Sequence, residues 1–206
     1  MHNTNFLLFI VFTGENMNRY TLVTERLYLH LAHPRLAAQV ADFNLRNKED
    51  MMDVEPRRPS AYSEKKGIKR YLKLDYADAM RGSDFRYYLT EKGSDKIIGT
   101  VCIGQVLFGS VKSCVLSYKI DKDYRGKGYC SEAVDEMIYL AFHTLRLHRI
   151  EAQVMPRNKP SLAIMEKFGF ENEGLSRKCF EINEKWEDHY RFALLNDTVS
   201  AKQNYR

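Results

Sequence analysis

The run Asp123-Tyr124-Arg125-Gly126-Lys127-Gly128-Tyr129-Cys130-Ser131-Glu132-Ala133 concentrates the residue types best suited to chemistry in this chain. It follows a segment of strand character and opens a strongly periodic helical one. Two glycines one residue apart let backbone N–H groups turn toward a ligand, and the helix start behind them adds unsatisfied donors and the positive end of a dipole. A pyrophosphate fits such a place. Glycines between a strand and a helix also serve as plain turn residues, so the pair by itself assigns no ligand. Cys130 stands at the same helix start, where thiol pKa values fall and a nucleophile could arise. Glu132, in the first turn, opposes the positive dipole end and is expected to cap the helix. Further on, Asn158, Pro160 and Ser161 read as a second helix start, with Asn158 at or just before the N-cap and Pro160 in the first turn.

These residues need elements to hold them. Tyr20 to Leu31 alternates apolar and polar residues and is expected to form one strand. Leu36–Asn47 and Ser63–Arg81 carry apolar positions at helical spacing. Between them lies a polar stretch, Asp53 to Ala61, containing Pro56 and Pro59; it reads either as a substrate loop or as a plain helix connection. Phe85–Thr90, Lys96–Gln105 and Cys114–Ile120 are short, rich in β-branched or aromatic residues and separated by turns, as in an antiparallel meander. A helix (Ser131–Leu145), a strand (Arg149–Val154), a helix (Pro160–Phe168) and two strands (Gly174–Ile182, Trp186–Leu195) follow. The expected architecture is a mixed α/β, mostly antiparallel sheet of about six to seven strands with helices on both faces.

The chain has 206 residues, 44% hydrophobic and 29% charged, enough apolar surface for one globular domain. We expect an N-terminal extension of uncertain status over 1–16, a single domain over 17–198 and a tail over 199–206. The net charge of +5 is modest and its charges are interspersed. That gives little support to nucleic acid as a partner, while a slight positive excess also suits a polyphosphate ligand. Phe6 to Phe12 is seven apolar residues long. It is too short to span a bilayer and lacks the flanks of a signal peptide. Cys102, Cys114, Cys130 and Cys179 show neither a C-x-x-C spacing nor a nearby His pair, which argues against a bound metal or a dithiol motif and for reduced, cytoplasmic thiols. No heptad or apolar seam predicts a homodimer, and pairing through sheet edges or the late strands stays open.

The run from Arg125 resembles the acyl-CoA loop of the GNAT N-acetyltransferase superfamily, Arg/Gln-x-x-Gly-x-Gly/Ala, with Arg125, Gly128 and Cys130 at its fixed positions. The Gly-Tyr-x-x-Glu-Ala form is similar to the ribosomal-protein N-terminal acetyltransferase branch (RimJ/RimL-like). Further matches follow in order: Thr24-Glu25-Arg26-Leu27, Ile98-Gly99, Leu147 to Ala152, Asn158-Lys159-Pro160-Ser161, Lys167 to Phe170 and Glu173-Gly174. The resemblance implies an acetyl-CoA-dependent transferase acting on a primary amine, either a protein N-terminus or a small molecule. It also implies a sheet splayed between its fourth and fifth strands, here Cys114–Ile120 and Arg149–Val154, with pantetheine in the split. A non-catalytic acyl-CoA-binding or sensor module is the alternative.

By the same resemblance, Tyr118, Ile120, Arg125, Gly126, Lys127, Gly128, Tyr129, Cys130, Ser131 and Asn158 would line the cofactor. Ser161 would reach its sulfur as an acid. Lys167 either approaches the ribose phosphate or simply ends its helix. Direct attack in a ternary complex needs a base, for which Glu55 and Glu181 are candidates beside a water relay, and it needs no nucleophilic cysteine. Tyr118 and Tyr129 read as packing residues rather than proton donors.

Overall fold

The computed structural model describes residues 21–56 and 64–196; the extension over 1–16, the tail and Arg57 to Ala61 of the polar stretch lie outside them. The elements are β1 (Thr21–Val23), β2 (Leu27–Leu31), α1 (Ala37–Arg46), α2 (Lys48–Met52), α3 (Lys65–Arg81), β3 (Phe85–Glu91), β4 (Ile97–Leu107), β5 (Ser113–Ile120), α4 (Tyr129–Tyr139), β6 (Arg149–Val154), α5 (Lys159–Lys167), β7 (Glu171–Ile182) and β8 (Lys185–Leu195). The strands form one eight-stranded sheet in the order β1-β2-β3-β4-β5-β6-β8-β7. Every pairing is antiparallel except β5 with β6.

The strand count exceeds the expectation because the first alternating segment folds back on itself. Thr24 closes a turn in which its N–H donates to Leu27 O and its hydroxyl accepts from Leu27 N–H, each at 3.1 Å. Residues 21–31 therefore form a hairpin with Thr21 opposite His30. The alternation that reads as one strand survives, since Leu27, Leu29 and Leu31 all point into the core. The first predicted helix likewise ends at Arg46, and a separate short helix, α2, carries the chain into the polar stretch.

Alternation in the central strands feeds two cores. Tyr87 and Leu89 pack with α4 residues Val134 and Met137 on one face. Tyr88 and Ile97 pack with Val40, Phe43, Met51, Ile68 and Leu72 of α1 to α3 on the other. The sheet is thus fixed between helical layers, the condition for a precise site at its strand ends. Among the described residues, no helix is long and apolar enough to cross a membrane.

Candidate active site

The site begins where β5 and β6 part. They pair only at Ser113–Arg149, Cys114–Ile150 and Val115–Glu151. Beyond this, β5 stays with β4 and β6 with β8, as far as Ile120–Gly99 and Val154–Tyr190. A wedge opens between two strands whose facing backbone groups are filled by no strand among the described residues. Asp121 N–H donates to Ile98 O at 2.7 Å, which makes Gly99–Ile120 a non-hydrogen-bonded pair of the antiparallel ladder. Ile120, and by the two-residue period Tyr118, therefore turn their backbone N–H and C=O groups into the wedge. An extended ligand bearing amides finds partners there.

The glycine loop lies at the mouth. Gly126 and Gly128 have φ of 72° and 82°, the left-handed region, and Gly128 is the N-cap residue of α4 with no side-chain cap. The first intrahelical bond runs from Glu132 N–H to Gly128 O at 3.0 Å, so the N–H groups of Tyr129, Cys130 and Ser131 precede the helical ladder. An anion can take these donors together with the dipole end.

Glu132 does not cap its helix, contrary to expectation. It reaches back to the β1–β2 turn, where Oε1 accepts from Thr24 Oγ1 (2.5 Å) and Arg26 N–H (2.7 Å) and Oε2 accepts from Arg26 Nε (2.6 Å). Arg26 Nη1 also donates to Lys127 O at 2.9 Å, and its guanidinium lies 4.6 Å from the Tyr129 ring centroid. Arg26 thereby holds the loop at Lys127, Tyr129 and Glu132 at once. Burial pushes the Glu132 carboxyl up, but the hydrogen bonds from Thr24 and Arg26 outweigh it and hold the group below the usual carboxylate range. The sign follows: a depressed folded pKa stabilises the protein above the unfolded value, and this contribution is lost as pH falls through the folded one. Glu132→Gln should lower the melting temperature at pH 7 by about 2–4 °C, with the gap closing toward pH 3; calorimetric scans across that range check it.

The other loop residues are placed as follows. The Arg125 guanidinium makes a two-pronged ion pair with the Asp50 carboxylate of α2. Lys127 Nζ stands 4.9 Å from the Tyr124 ring centroid, and the Tyr129 hydroxyl donates to Glu91. Ser131 is half-buried in the first turn. Burial pushes the Cys130 thiol up to about 12, opposite to the lowering expected of an activated thiol, so it is protonated at neutral pH.

Across the wedge, Tyr118 Oη donates to the Ser161 carbonyl at 3.4 Å, joining β5 to α5, and burial pushes this phenol well above its ordinary value. Asn158 is the N-cap of α5, its Oδ1 accepting from Ser161 N–H at 3.3 Å. The cap uses the amide's acceptor and leaves its Nδ2 donors for a ligand carbonyl. Lys167 lies at the opposite end of α5, 5.6 Å from the Phe168 ring centroid, a position that suits a cation ending a helix.

Glu55 forms an ion pair with Lys119 Nζ at 2.9 Å, beside Tyr118 and Ile120 on β5. Glu181 is exposed on β7 opposite Trp186 and lines a cavity of about 450 Å³ with Pro56, Cys179, Phe180, Asn183, Glu184 and Trp186. Lys119, Asp50 and Arg26 are contributors that local sequence reading missed. The Thr-Glu-Arg-Leu match at Arg26 was the available signal. Among the described residues, no group of three or more His, Cys, Asp or Glu is placed to hold a metal.

Known proteins resemble this chain over most of its length. The family model described as an acetyltransferase (GNAT) domain matches residues 26–171. The [Ribosomal protein uS5]-alanine N-acetyltransferase of Escherichia coli is 32% identical over 87% of this chain and 92% of its own length. A probable N-acetyltransferase, YjcK, of Bacillus subtilis is 42% identical over 56% of this chain; the match spans 64% of that relative. Among solved structures, the ribosomal-protein-S5-alanine acetyltransferase from Vibrio fischeri superposes with a TM-score of 0.82 at 30% identity, covering 86% of this chain and 97% of that one.

Proposed function

From the premise that this chain belongs to the GNAT acetyltransferase family and is an N-acetyltransferase of it, we propose that it transfers acetyl from acetyl-CoA to a primary amine by direct attack in a ternary complex. The observation that carries this reading is the wedge between β5 and β6 opening beside the uncapped start of α4. The N–H groups of Arg125 to Ser131 receive the pyrophosphate, Ile120 and Tyr118 pair with the pantetheine amides through their backbones, and Asn158 Nδ2 donates to a pantetheine carbonyl. The amine nitrogen attacks the thioester carbonyl carbon, the C–S bond breaks, and the departing thiolate takes its proton from the Ser161 hydroxyl, which takes one in turn from solvent water.

Glu55 receives the proton released by the amine, directly or through water. We prefer it to Glu181 because its partner Lys119 sits on the wedge strand, whereas Glu181 stands near the tip of the β7–β8 hairpin opposite Trp186, beyond Tyr190 where the β6–β8 pairing ends. Holding both reactants side by side supplies much of the rate enhancement, and no acyl-enzyme is formed. Glu181 forms part of the acceptor's surroundings. A cytoplasmic location belongs to the same reading, in keeping with four free thiols.

The relative from E. coli is named for the alanine of a ribosomal protein, so an alanine-starting peptide is the first acceptor to test. Mass spectrometry of a panel of N-terminal peptides, polyamines, amino acids and aminoglycosides incubated with acetyl-CoA should detect one acetylated class. Tight acetyl-CoA binding without any acetylated amine across such a panel would favour a non-catalytic sensor instead.

A further inference from the structure

Between β5 and the glycine loop lies a buried polar cluster that the reaction does not use directly. Asp121 and Asn47 are both fully buried. Arg46, the last residue of α1, spends all its donor nitrogens here: Nε donates to Asp42 Oδ2 (2.9 Å), Nη2 to Ile97 O (2.9 Å), and Nη1 pairs with Asp121 Oδ2. Asp121 Oδ1 accepts from Asp123 N–H at 3.1 Å, so Asp121 caps the single 3-10 turn, Lys122–Tyr124, that delivers the chain to Arg125. Asn47 Oδ1 accepts from Lys122 N–H at 3.0 Å, while its Nδ2 donates to Phe43 O at 2.9 Å. Two consecutive backbone donors of the approach to the loop, one residue apart, thus end on buried side chains fixed to α1.

We propose that Arg46, Asn47 and Asp121 are positioning residues for pyrophosphate binding: they fix the path by which β5 enters the glycine loop, and Arg46 neutralises the Asp121 carboxylate buried beside it. The inference rests on the reading that residues 125–131 receive the pyrophosphate. Its physical basis has two parts. Donors that must converge on one anion lose affinity when their backbone wanders, because the ordering must then occur at binding. A buried carboxylate without its cation would also repel the incoming anion at low effective dielectric, where charge is poorly screened. Arg46 answers the second and Asn47 the first.

The test compares two donors that differ in the part the brace concerns. Acetyl-CoA carries the pyrophosphate, and S-acetylpantetheine keeps the thioester and the amides but lacks it. Affinity for the first is measured by calorimetry and for the second by NMR titration, in variants shown by melting scans to be folded. Arg46→Met and Asn47→Leu should each weaken acetyl-CoA by about tenfold and leave S-acetylpantetheine within about twofold, about 1.4 kcal/mol of selective loss. Arg46→Lys should recover part of the loss. Should Arg46→Met fold poorly, Arg46→Met combined with Asp121→Asn removes the buried charge and should restore part of the acetyl-CoA affinity. Equal weakening of both donors, or of neither, would overturn the positioning role. A wild-type protein that binds the two donors equally would instead show that the loop does not hold the pyrophosphate, and the proposal would fall with that reading.

Discussion

Gly128→Asp should weaken acetyl-CoA binding by about 100-fold or more, a loss of about 2.7 kcal/mol, while the protein stays folded. Gly128 sits at φ of 82°, and a Cβ there would meet Arg26 Nη2 at 3.2 Å. A new carboxylate at that point lies beside the guanidinium, which can pair with it, and Asp tolerates the left-handed region better than most residues. The same carboxylate stands at the N-terminus of α4, where it takes up the dipole and the open N–H groups that the pyrophosphate needs. Gly126→Ala is the matched control. Its φ of 72° makes any side chain strained, but a Cβ there meets nothing within 4 Å, so the loss should stay within about tenfold. Calorimetry on the two variants separates anion exclusion from loop strain.

The second large effect concerns the proton. Glu55→Gln should lower kcat by about 10²-fold to 10³-fold, the range for removal of a general base, with the acetyl-CoA Kd nearly unchanged because Glu55 lies on the Lys119 side of β5 rather than at the loop. Glu181→Gln should change kcat by less than about threefold. Steady-state rates with the acceptor found by mass spectrometry decide between them. A large effect of Glu181→Gln beside a small one of Glu55→Gln would exchange the two roles, and small effects of both would transfer the proton to water.

What sequence reading reached and what it missed divide along the range of the interactions. Runs of β-branched and aromatic residues between turns located the strands from Phe85 to Ile120 because both faces of these strands are buried, and the Gly-x-Gly run located the start of α4 because left-handed backbone and a helix N-terminus are local properties. The break at Thr24 was hidden because a hydroxyl-closed turn preserved the apolar period of the segment around it. Glu132 looked like a cap because a carboxylate in a first turn usually opposes a dipole; its actual partners, Thr24 and Arg26, lie more than 100 residues earlier. The pairs Lys119–Glu55, Arg125–Asp50 and Arg46–Asp121 have the same character, since ion pairs between segments far apart in sequence leave no periodic trace along the chain. Asn158 was legible as a helix cap, and that cap uses its amide acceptor and leaves the donors for the ligand contact we propose.

The pH behaviour of Cys130 shows how burial overrides a local rule. A thiol at a helix start is expected to ionise more readily, yet Cys130 packs against the main core and its thiol is pushed the other way. The reading of direct transfer, which needs no thiolate, is consistent with that placement.

The measurement closest to the central claim is a crystal structure of the protein with acetyl-CoA. The account predicts the pyrophosphate against the N–H groups of Arg125 to Ser131, pantetheine between β5 and β6 with its amides on the backbone of Tyr118 and Ile120, and the thioester between Ser161 and the Glu55 side of the wedge. Acetyl-CoA bound elsewhere, with the wedge closed in a protein that still acetylates an amine, would contradict it.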